Sequence, residues 1–123
     1  HPYWVINVEN SMNKEYTLFK LKLSNACFST SAQTKTFVEI GGKKYGHIIN
    51  PRTGYPSENK QIGIISTNCF VGDIISTGLY NQTLDGFTAK MKLLSSQFDV
   101  SGFLMDKNNH IRFSDGFEKY IVQ

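Results

Sequence analysis

The chain has 123 residues with a formal net charge of +3, and 40% of its residues are hydrophobic and 19% charged. This composition is typical of a folded domain, or part of one, with enough apolar residues for a packed core, and it argues against disorder. The positive charge comes without a run of Lys and Arg, so no nucleic-acid partner is predicted. No stretch of about 18 apolar residues is present, so no membrane-spanning helix is predicted.

Apolar patterning predicts strands in the first half of the chain, at residues 4–8, 17–23, 26–29, 37–40, 44–49 and 62–65. Gly41 and Gly42 separate two of these runs, which predicts a β-hairpin because its tight turn needs positive φ. Residues 50–56 contain two prolines and a glycine, so we expect a defined loop there.

The second half predicts two helices followed by two strands. Asn68 is a suitable N-cap for a helix at residues 69–80. A second helix is indicated by apolar residues spaced three or four apart, at Leu84, Phe87, Met91, Leu94 and Phe98. Two further strands are predicted at residues 100–105 and 111–113, after the helices. The order predicts an α+β fold with both helices packed on one face of a mainly antiparallel sheet.

The segment from His47 to Gly54 combines groups that suit a phosphate-bearing ligand. Arg52 offers a planar set of donors that matches phosphate oxygens. Gly54 lets backbone N–H groups approach an anion, and Pro51 stiffens the segment. On these residues alone, a tight turn with Arg52 in water and His47 in the core is the alternative interpretation.

A second polar element lies on the first predicted helix. Asp73 and Thr77 are four residues apart and share a face with Ser76, and carboxylate and hydroxyl oxygens are ligands that Mg²⁺ prefers. Apolar neighbours surround Asp73 in sequence, and a buried carboxylate needs a partner or a metal. In the alternative interpretation, Asp73 faces water near the helix start, where the helix dipole stabilises it.

A hydroxyl cluster follows the buried run at 26–29. Thr30 and Ser31 suit a phosphate or a ribose, but such residues also form ordinary turns. Cys27 and Cys69 lie far apart without a C-x-x-C motif, so neither a zinc site nor a redox motif is predicted. A disulfide between these two cysteines depends on geometry and stays open at this point.

Taken in order, these elements resemble the ApbE family, whose members bind FAD and Mg²⁺ and move FMN onto other proteins. The family pattern is T-S-G, then H-I-[IL]-[DN]-P-x-T-G-x-P, then A-D-A-[LI]-[AS]-T-[AG]. The matching residues here are Thr30-Ser31, the run H-I-I-N-P-R-T-G-Y-P from His47 to Pro56, and G-D-x-x-S-T from Gly72 to Thr77. Ala32 replaces the family's glycine, and Gly72 stands where alanine is usual.

The resemblance implies roles for these residues. The side chains of Asp73 and Thr77 would hold Mg²⁺ together with the backbone carbonyl of Ser76, which we expect to require an irregular helix start because interior carbonyls are already bonded. The flavin-binding residues implied by the resemblance would be Thr30, Ser31, His47, Pro51, Thr53 and Gly54. Arg52 is added to them for its phosphate-binding chemistry. His47 and Asp73 are the expected catalytic residues.

The implied activity is Mg²⁺-dependent transfer of FMN from FAD to a threonine of an acceptor protein, such as a flavoprotein subunit of a redox complex. Hydrolysis of FAD is the other outcome in this family. The resemblance also implies a location in the bacterial periplasm or at the cell surface, with a lipid anchor on a missing N-terminal segment.

The resemblance implies a T-fold-like architecture of which residues 1–123 are the C-terminal portion. In the family, the N-terminal half supplies most of the pocket around FAD and a further metal ligand, so we expect this chain alone to be incomplete. The alternative is a non-catalytic module of the same fold that binds flavin or another protein.

Overall fold

The computed structural model describes residues 3–10, 13–32, 38–40, 43–45 and 59–122. The elements in chain order are β1 (Trp4–Asn10), β2 (Asn13–Leu23), β3 (Cys27–Ala32), β4 (Val38–Ile40), β5 (Lys43–Tyr45), β6 (Gln61–Ser66), α1 (Cys69–Gly78), α2 (Leu84–Ser95), β7 (Val100–Met105), β8 (Ile111–Phe113) and a 3₁₀ turn at Glu118–Tyr120. None of the helices in these ranges has the length and apolar character needed to cross a membrane.

The central sheet has the strand order β3-β6-β7-β8, and each pair of neighbours is antiparallel. Both helices pack on one face of this sheet, which confirms the predicted α+β fold. Ile62 and Ile64 of β6 are fully buried there, in one cluster with Ile75 of α1 and with Phe87 and Met91 of α2. The alternation of β6 therefore directs every second side chain at the helices.

The hairpin of β1 and β2 covers the opposite face of the sheet. Leu21 and Leu23 of β2 are buried there with Ile65 of β6 and Phe103 of β7. Phe19 meets the ring of Phe103 edge-on, with 5.1 Å between the ring centroids. The sheet is consequently covered on both sides, by helices and by a hairpin. The predicted hairpin around Gly41 and Gly42 is confirmed by the antiparallel pairing of β4 with β5.

Helix α1 begins as predicted and ends earlier. The Asn68 side chain accepts hydrogen bonds from the backbone N–H groups of Phe70 and Val71 at 3.0 and 3.2 Å, so the predicted N-cap is confirmed. The helix ends at Gly78 rather than residue 80. Tyr80 is fully buried beyond that end.

Helix α2 is capped by Thr83, whose side chain accepts a hydrogen bond from the Gly86 N–H at 3.0 Å. The helix ends at Ser95, so the prediction that Phe98 continues its apolar stripe is wrong. Phe98 follows the helix and is 41% exposed. The Phe98 N–H still bonds the Leu94 carbonyl at 2.8 Å in a closing turn, but its side chain does not join the buried stripe of α2.

A disulfide joins Cys27 at the start of β3 to Cys69 at the start of α1, with the Cα atoms 5.3 Å apart. This answers the question that the sequence left open. The bond closes a covalent ring across 42 positions of the chain, and this ring includes the whole segment from Thr30 to Gly54 that the sequence singled out.

Gly72 brings α1 close to the sheet. A Cβ at this position would lie 2.4 Å from the Ser66 Oγ and 3.0 Å from the Ser29 Oγ. Both serines are buried, and the Ser66 hydroxyl donates a hydrogen bond to the Asn68 carbonyl at 2.8 Å. The absence of a side chain at residue 72 therefore sets how closely α1 approaches β3 and β6.

We expect Gly72→Ala to lower the free energy of unfolding by about 1–3 kcal/mol, because Ser66 must rotate away from Asn68 or α1 must move outward. The control is Gly78→Ala on the same helix, where no atom lies within 4 Å of the added Cβ. That change should be neutral or stabilising by up to about 1 kcal/mol, since alanine is the better helix former. Urea denaturation of the two variants measures the difference, and equal effects would contradict the packing role of Gly72.

Candidate functional site

Three residues of strand β3 contact helix α1. Their order along the strand follows the order of their partners along the helix. Cys27 is bonded to Cys69, the Ser29 Oγ lies over Gly72, and the Ser31 Oγ lies 3.5 Å from the Ser76 Oγ. Residues 27, 29 and 31 alternate along β3, so they share the face that packs on the helix. The structure therefore brings the Thr-Ser element of the sequence against the element that contains Asp73.

Residues 29–32 belong to strand β3, so the interpretation of this hydroxyl cluster as a turn is wrong. Ser29 to Ala32 pair in unbroken antiparallel register with residues 61–64 of β6. Their hydroxyl groups are positioned by a regular strand that leads directly toward residues 33–58.

Ser76 fixes the contact between α1 and β3. Its side chain is 2% exposed, and its hydroxyl donates a hydrogen bond to the Asp73 carbonyl at 3.1 Å. The Ser31 hydroxyl is then the donor toward the Ser76 Oγ. The Ser76 side chain thus points at the sheet, so the prediction that it shares a face with Asp73 and Thr77 is wrong.

Asp73 and Thr77 lie on the outer surface of α1, and both are exposed. The alternative interpretation, in which Asp73 faces water, is therefore confirmed, and a buried carboxylate in an apolar segment is excluded. The helix dipole is not the reason for its exposure, because Asp73 is the fifth residue of α1 and the first turn contains no acidic residue. Phe70 and Ile74 of the same helix are 72% and 55% exposed, so α1 also presents apolar side chains to solvent.

The backbone carbonyl of Ser76 lies in the last turn of α1, since the helix ends at Gly78. The last four carbonyl groups of a helix have no partner within the helix. In α1 the carbonyl of Ile75 is bonded to the N–H of Leu79 at 2.9 Å. We expected that a Ser76 carbonyl free to bind a metal would require an irregular helix start. This prediction is wrong, because α1 ends at Gly78 and the Ser76 carbonyl therefore lies near the end of the helix.

Thr30 lies apart from this contact. It pairs with Gly63 of β6, and strand alternation puts it on the face of Phe28, opposite Ser29 and Ser31. Thr30 is exposed. The remaining predicted flavin residues, His47, Pro51, Arg52, Thr53 and Gly54, lie outside the described residues, so their roles stay predictions.

Asn59, the first described residue after that segment, was not singled out from the sequence. Its side-chain N–H groups donate to the carbonyls of Tyr80 at 2.6 Å and Gln82 at 2.7 Å. The Tyr80 hydroxyl donates to the Asn59 carbonyl at 2.6 Å. The sequence did show a polar residue between a proline-rich loop and a buried strand, which was the available signal for Asn59. Its hydrogen-bond partners lie more than twenty residues away, so the sequence did not identify them.

The oxygen groups of Asp73, Thr77 and Ser76 are the hard ligands that a Mg²⁺ ion takes. Within residues 59–122 and the shorter described ranges, no three His, Cys, Asp or Glu side chains gather into a metal-binding group. One carboxylate with hydroxyl and carbonyl oxygens fits a Mg²⁺ ion that keeps several waters, and does not fit zinc.

Two clefts in the described part of the chain lie elsewhere. One of about 410 Å³ is lined by residues 95–101 together with Asp115, Gly116, Lys119 and Tyr120. The other, of about 190 Å³, lies between residues 66–68 with Val71 and residues 97–100. Neither of these two clefts is lined by Asp73, Ser76 or Thr77.

Curated relatives share the sequence pattern. An FAD:protein FMN transferase of Klebsiella pneumoniae is 27% identical over 114 residues, which cover 90% of this chain and 35% of the relative. An FAD:protein FMN transferase of Haemophilus influenzae is 32% identical over 60 residues, covering 47% of this chain and 17% of the relative. The chain therefore spans about a third of the length of the Klebsiella relative.

Solved structures share the fold. The ApbE protein of Thermotoga maritima matches all of this chain with a TM-score of 0.83 at 19% identity, and the match covers 40% of that protein. The apo form of the flavinyl transferase ApbE of Pseudomonas stutzeri matches 95% of this chain with a TM-score of 0.68 at 18% identity, covering 36% of that protein. Residues 1–101 also match the sequence model of the ApbE family. The chain belongs to the ApbE family.

Proposed function

We propose that this chain is the C-terminal portion of an FAD:protein FMN transferase. The observation that carries the proposal is the contact of Ser31 with Ser76 at 3.5 Å. It joins β3, which carries Thr30 and Ser31, to the helix that presents Asp73 and Thr77. Two stretches of sequence that are typical of flavin transferases are thereby adjacent in the folded chain.

The proposed reaction breaks the bond between the two phosphates of FAD. The hydroxyl oxygen of an acceptor threonine bonds to the phosphorus of the FMN group, the threonine proton passes to a base or to solvent, and AMP leaves with the oxygen that bridged the two phosphorus atoms. Transfer to water instead gives hydrolysis of FAD. A protein catalyses such a step chiefly by orienting the phosphates and stabilising their negative charge.

Asp73, Thr77 and the Ser76 carbonyl are the groups that would hold Mg²⁺. The ion, when bound, supplies positive charge at the phosphate oxygens. Arg52 would donate hydrogen bonds to phosphate, and His47, Pro51, Thr53 and Gly54 would form the surrounding loop with Ser31 at its start. The buried Ser76 hydroxyl keeps α1 against β3, which holds Ser31 beside the helix that carries the proposed metal ligands.

The length of the relatives supports the proposal that residues 1–123 act with a further N-terminal portion. The exposed side chains of Phe70 and Ile74 also support a partner segment over α1. A disulfide persists in oxidising compartments, and the Cys27–Cys69 bond thus supports a periplasmic or cell-surface location.

Titration of FAD with and without Mg²⁺ tests the proposal, using this chain and the full polypeptide that carries it. We expect Mg²⁺ to strengthen FAD binding in the full polypeptide and to support transfer of FMN to an acceptor threonine. FAD binding without transfer or hydrolysis would instead indicate the non-catalytic flavin module. No FAD binding by the full polypeptide would reject the proposal.

His47→Ala is expected to lower kcat/KM for FAD in the full polypeptide by about 10²-fold, the usual size of a lost positioned proton-transfer or oxyanion-stabilising group. Transfer kinetics measure this loss. His110→Ala is the control, because His110 is exposed in the turn before β8. Full activity of the His47 variant would reduce that histidine to a packing residue.

A further inference from the structure

The disulfide between Cys27 and Cys69 lies one helical turn from Asp73, the charged member of the proposed metal site. Cys69 is the first residue of α1, and Asp73 and Thr77 follow it at steps of four positions. Side chains four residues apart on a helix are neighbours on its surface, about 6 Å apart. The bond therefore fixes α1 to β3 at the turn that directly precedes the Asp73 carboxylate.

The other side-chain contacts between β3 and α1 are weaker ties. Gly72 offers no side chain to Ser29. The hydroxyl groups of Ser31 and Ser76 lie 3.5 Å apart, which is long for a hydrogen bond between hydroxyls, usually about 2.8 Å. The buried side chain of Ile75 packs with two isoleucines of β6 rather than with a residue of β3. The covalent bond is therefore the strongest tie between β3 and the first turns of α1.

A thiol in solution can reach this bond, because Cys69 is exposed and Cys27 is half-buried. Exposed disulfides are the ones that thiols reduce most readily. One sulfur of a dithiol attacks the Cys69 sulfur and bonds to it, the Cys27–Cys69 bond breaks, and the Cys27 sulfur leaves as a thiolate that takes a proton from water. The second sulfur of the dithiol then displaces Cys69 from this mixed disulfide. The protein gains two thiols, and the dithiol is oxidised to a disulfide.

We propose that Cys27 and Cys69 are positioning residues for the metal site, so that the affinity for Mg²⁺ depends on their redox state. This inference rests on the proposed function. With the bond formed, α1 is fixed on β3 and its oxygen ligands keep one arrangement. Reduction frees the first turns of α1, so ligand binding must also order them, which costs conformational entropy. A newly made chain with reduced cysteines therefore holds Mg²⁺ weakly until oxidation forms the bond.

The test measures the Kd for Mg²⁺ by titration calorimetry of the full polypeptide with FAD bound, before and after reduction by dithiothreitol. We expect reduction to raise this Kd about tenfold, the lower end of the effect of losing a group that orients metal ligands. Cys27→Ser/Cys69→Ser should show the higher Kd under both conditions. A response of the double variant to dithiothreitol equal to that of the wild type would overturn the inference, because the reductant then acts elsewhere.

Leu21→Ala separates positioning from a general loss of stability. Leu21 is fully buried in the layer of the β1–β2 hairpin, on the face of the sheet opposite α1. Its truncation destabilises a protein to an extent comparable with the loss of a disulfide. At a temperature where circular dichroism shows both variants folded, we expect Leu21→Ala to keep the wild-type Kd for Mg²⁺. An equal rise in Kd in Leu21→Ala and in the cysteine variant would overturn the inference.

Hydrogen exchange in the ligand-free full polypeptide separates this inference from the proposed function. We expect reduction to speed the exchange of backbone amides in α1 about tenfold and to leave α2 unchanged, because α2 carries no cysteine. Faster exchange of α1 in a polypeptide that never transfers FMN would reject the transferase and keep the role of the disulfide in fixing α1. Equal exchange and equal affinity for Mg²⁺ with and without the bond, in an active enzyme, would overturn the inference.

Discussion

Asp73→Ala in the full polypeptide is expected to lower Mg²⁺-dependent FMN transfer by about 10²–10³-fold, since a catalytic metal supplies several kcal/mol of transition-state stabilisation. The carboxylate is the only charged group among the three proposed ligands. It is exposed on α1, so its removal should leave the fold intact. Asp73→Asn tests the charge alone, because the amide keeps the shape of the side chain. Transfer of FMN to an acceptor protein, measured across a Mg²⁺ titration, reports the loss.

Asp99→Ala serves as the control for this prediction, because Asp99 is also exposed but lies between α2 and β7. We expect that variant to retain transfer. The unfolding midpoints of all three variants should lie close to the wild-type value, since substitutions at exposed sites without partners change stability by about 0.5 kcal/mol or less. Wild-type turnover in both Asp73 variants would remove Asp73 from the metal site.

Replacing both cysteines by serine is expected to lower the free energy of unfolding by about 4 kcal/mol, the chain-entropy estimate for a ring of this size. The bond spans 42 positions, so its loss frees a large part of the unfolded chain. For a domain of this length, the midpoint of thermal unfolding should fall by about 10–20 °C. Calorimetry of the oxidised protein and of Cys27→Ser/Cys69→Ser measures the difference.

A reducing agent provides the internal control for the disulfide. Dithiothreitol should shift the wild-type midpoint to that of the double variant and leave the double variant unchanged. A shift of the same size in both proteins would show that the reductant acts elsewhere. A wild-type midpoint that does not move would show that the bond adds little to stability.

The fold was largely predictable because its elements follow local patterns. The alternation in β1 and β2, the apolar run in β6, the Asn68 cap and the spacing of apolar residues in α2 each depend on neighbouring residues. Errors arose where a distant contact decides the outcome. Helix α1 ends at Gly78 because Tyr80 is buried in the core and its hydroxyl bonds Asn59. The residues next to Tyr80 in the sequence give no indication of this bond.

The contact between the two described elements of the candidate site was only partly predictable from the sequence. The sequence associated Ser31 with the Asp73 element, and the structure places Ser31 against Ser76. It did not predict that Thr30 and Ser31 lie on opposite faces of β3, because a short polar run was interpreted as a turn rather than a strand. The contributions of Ser66 and Asn59 were missed because each acts through a backbone carbonyl, which leaves no side-chain pattern.

The disulfide between β3 and α1 has a practical consequence for a molecule whose backbone is cleaved between Cys27 and Cys69. A nick after Arg52 leaves two polypeptides, one starting at His1 and the other ending at Gln123, that remain linked through Cys27 and Cys69. Such a nicked molecule migrates as one species until a thiol separates the halves.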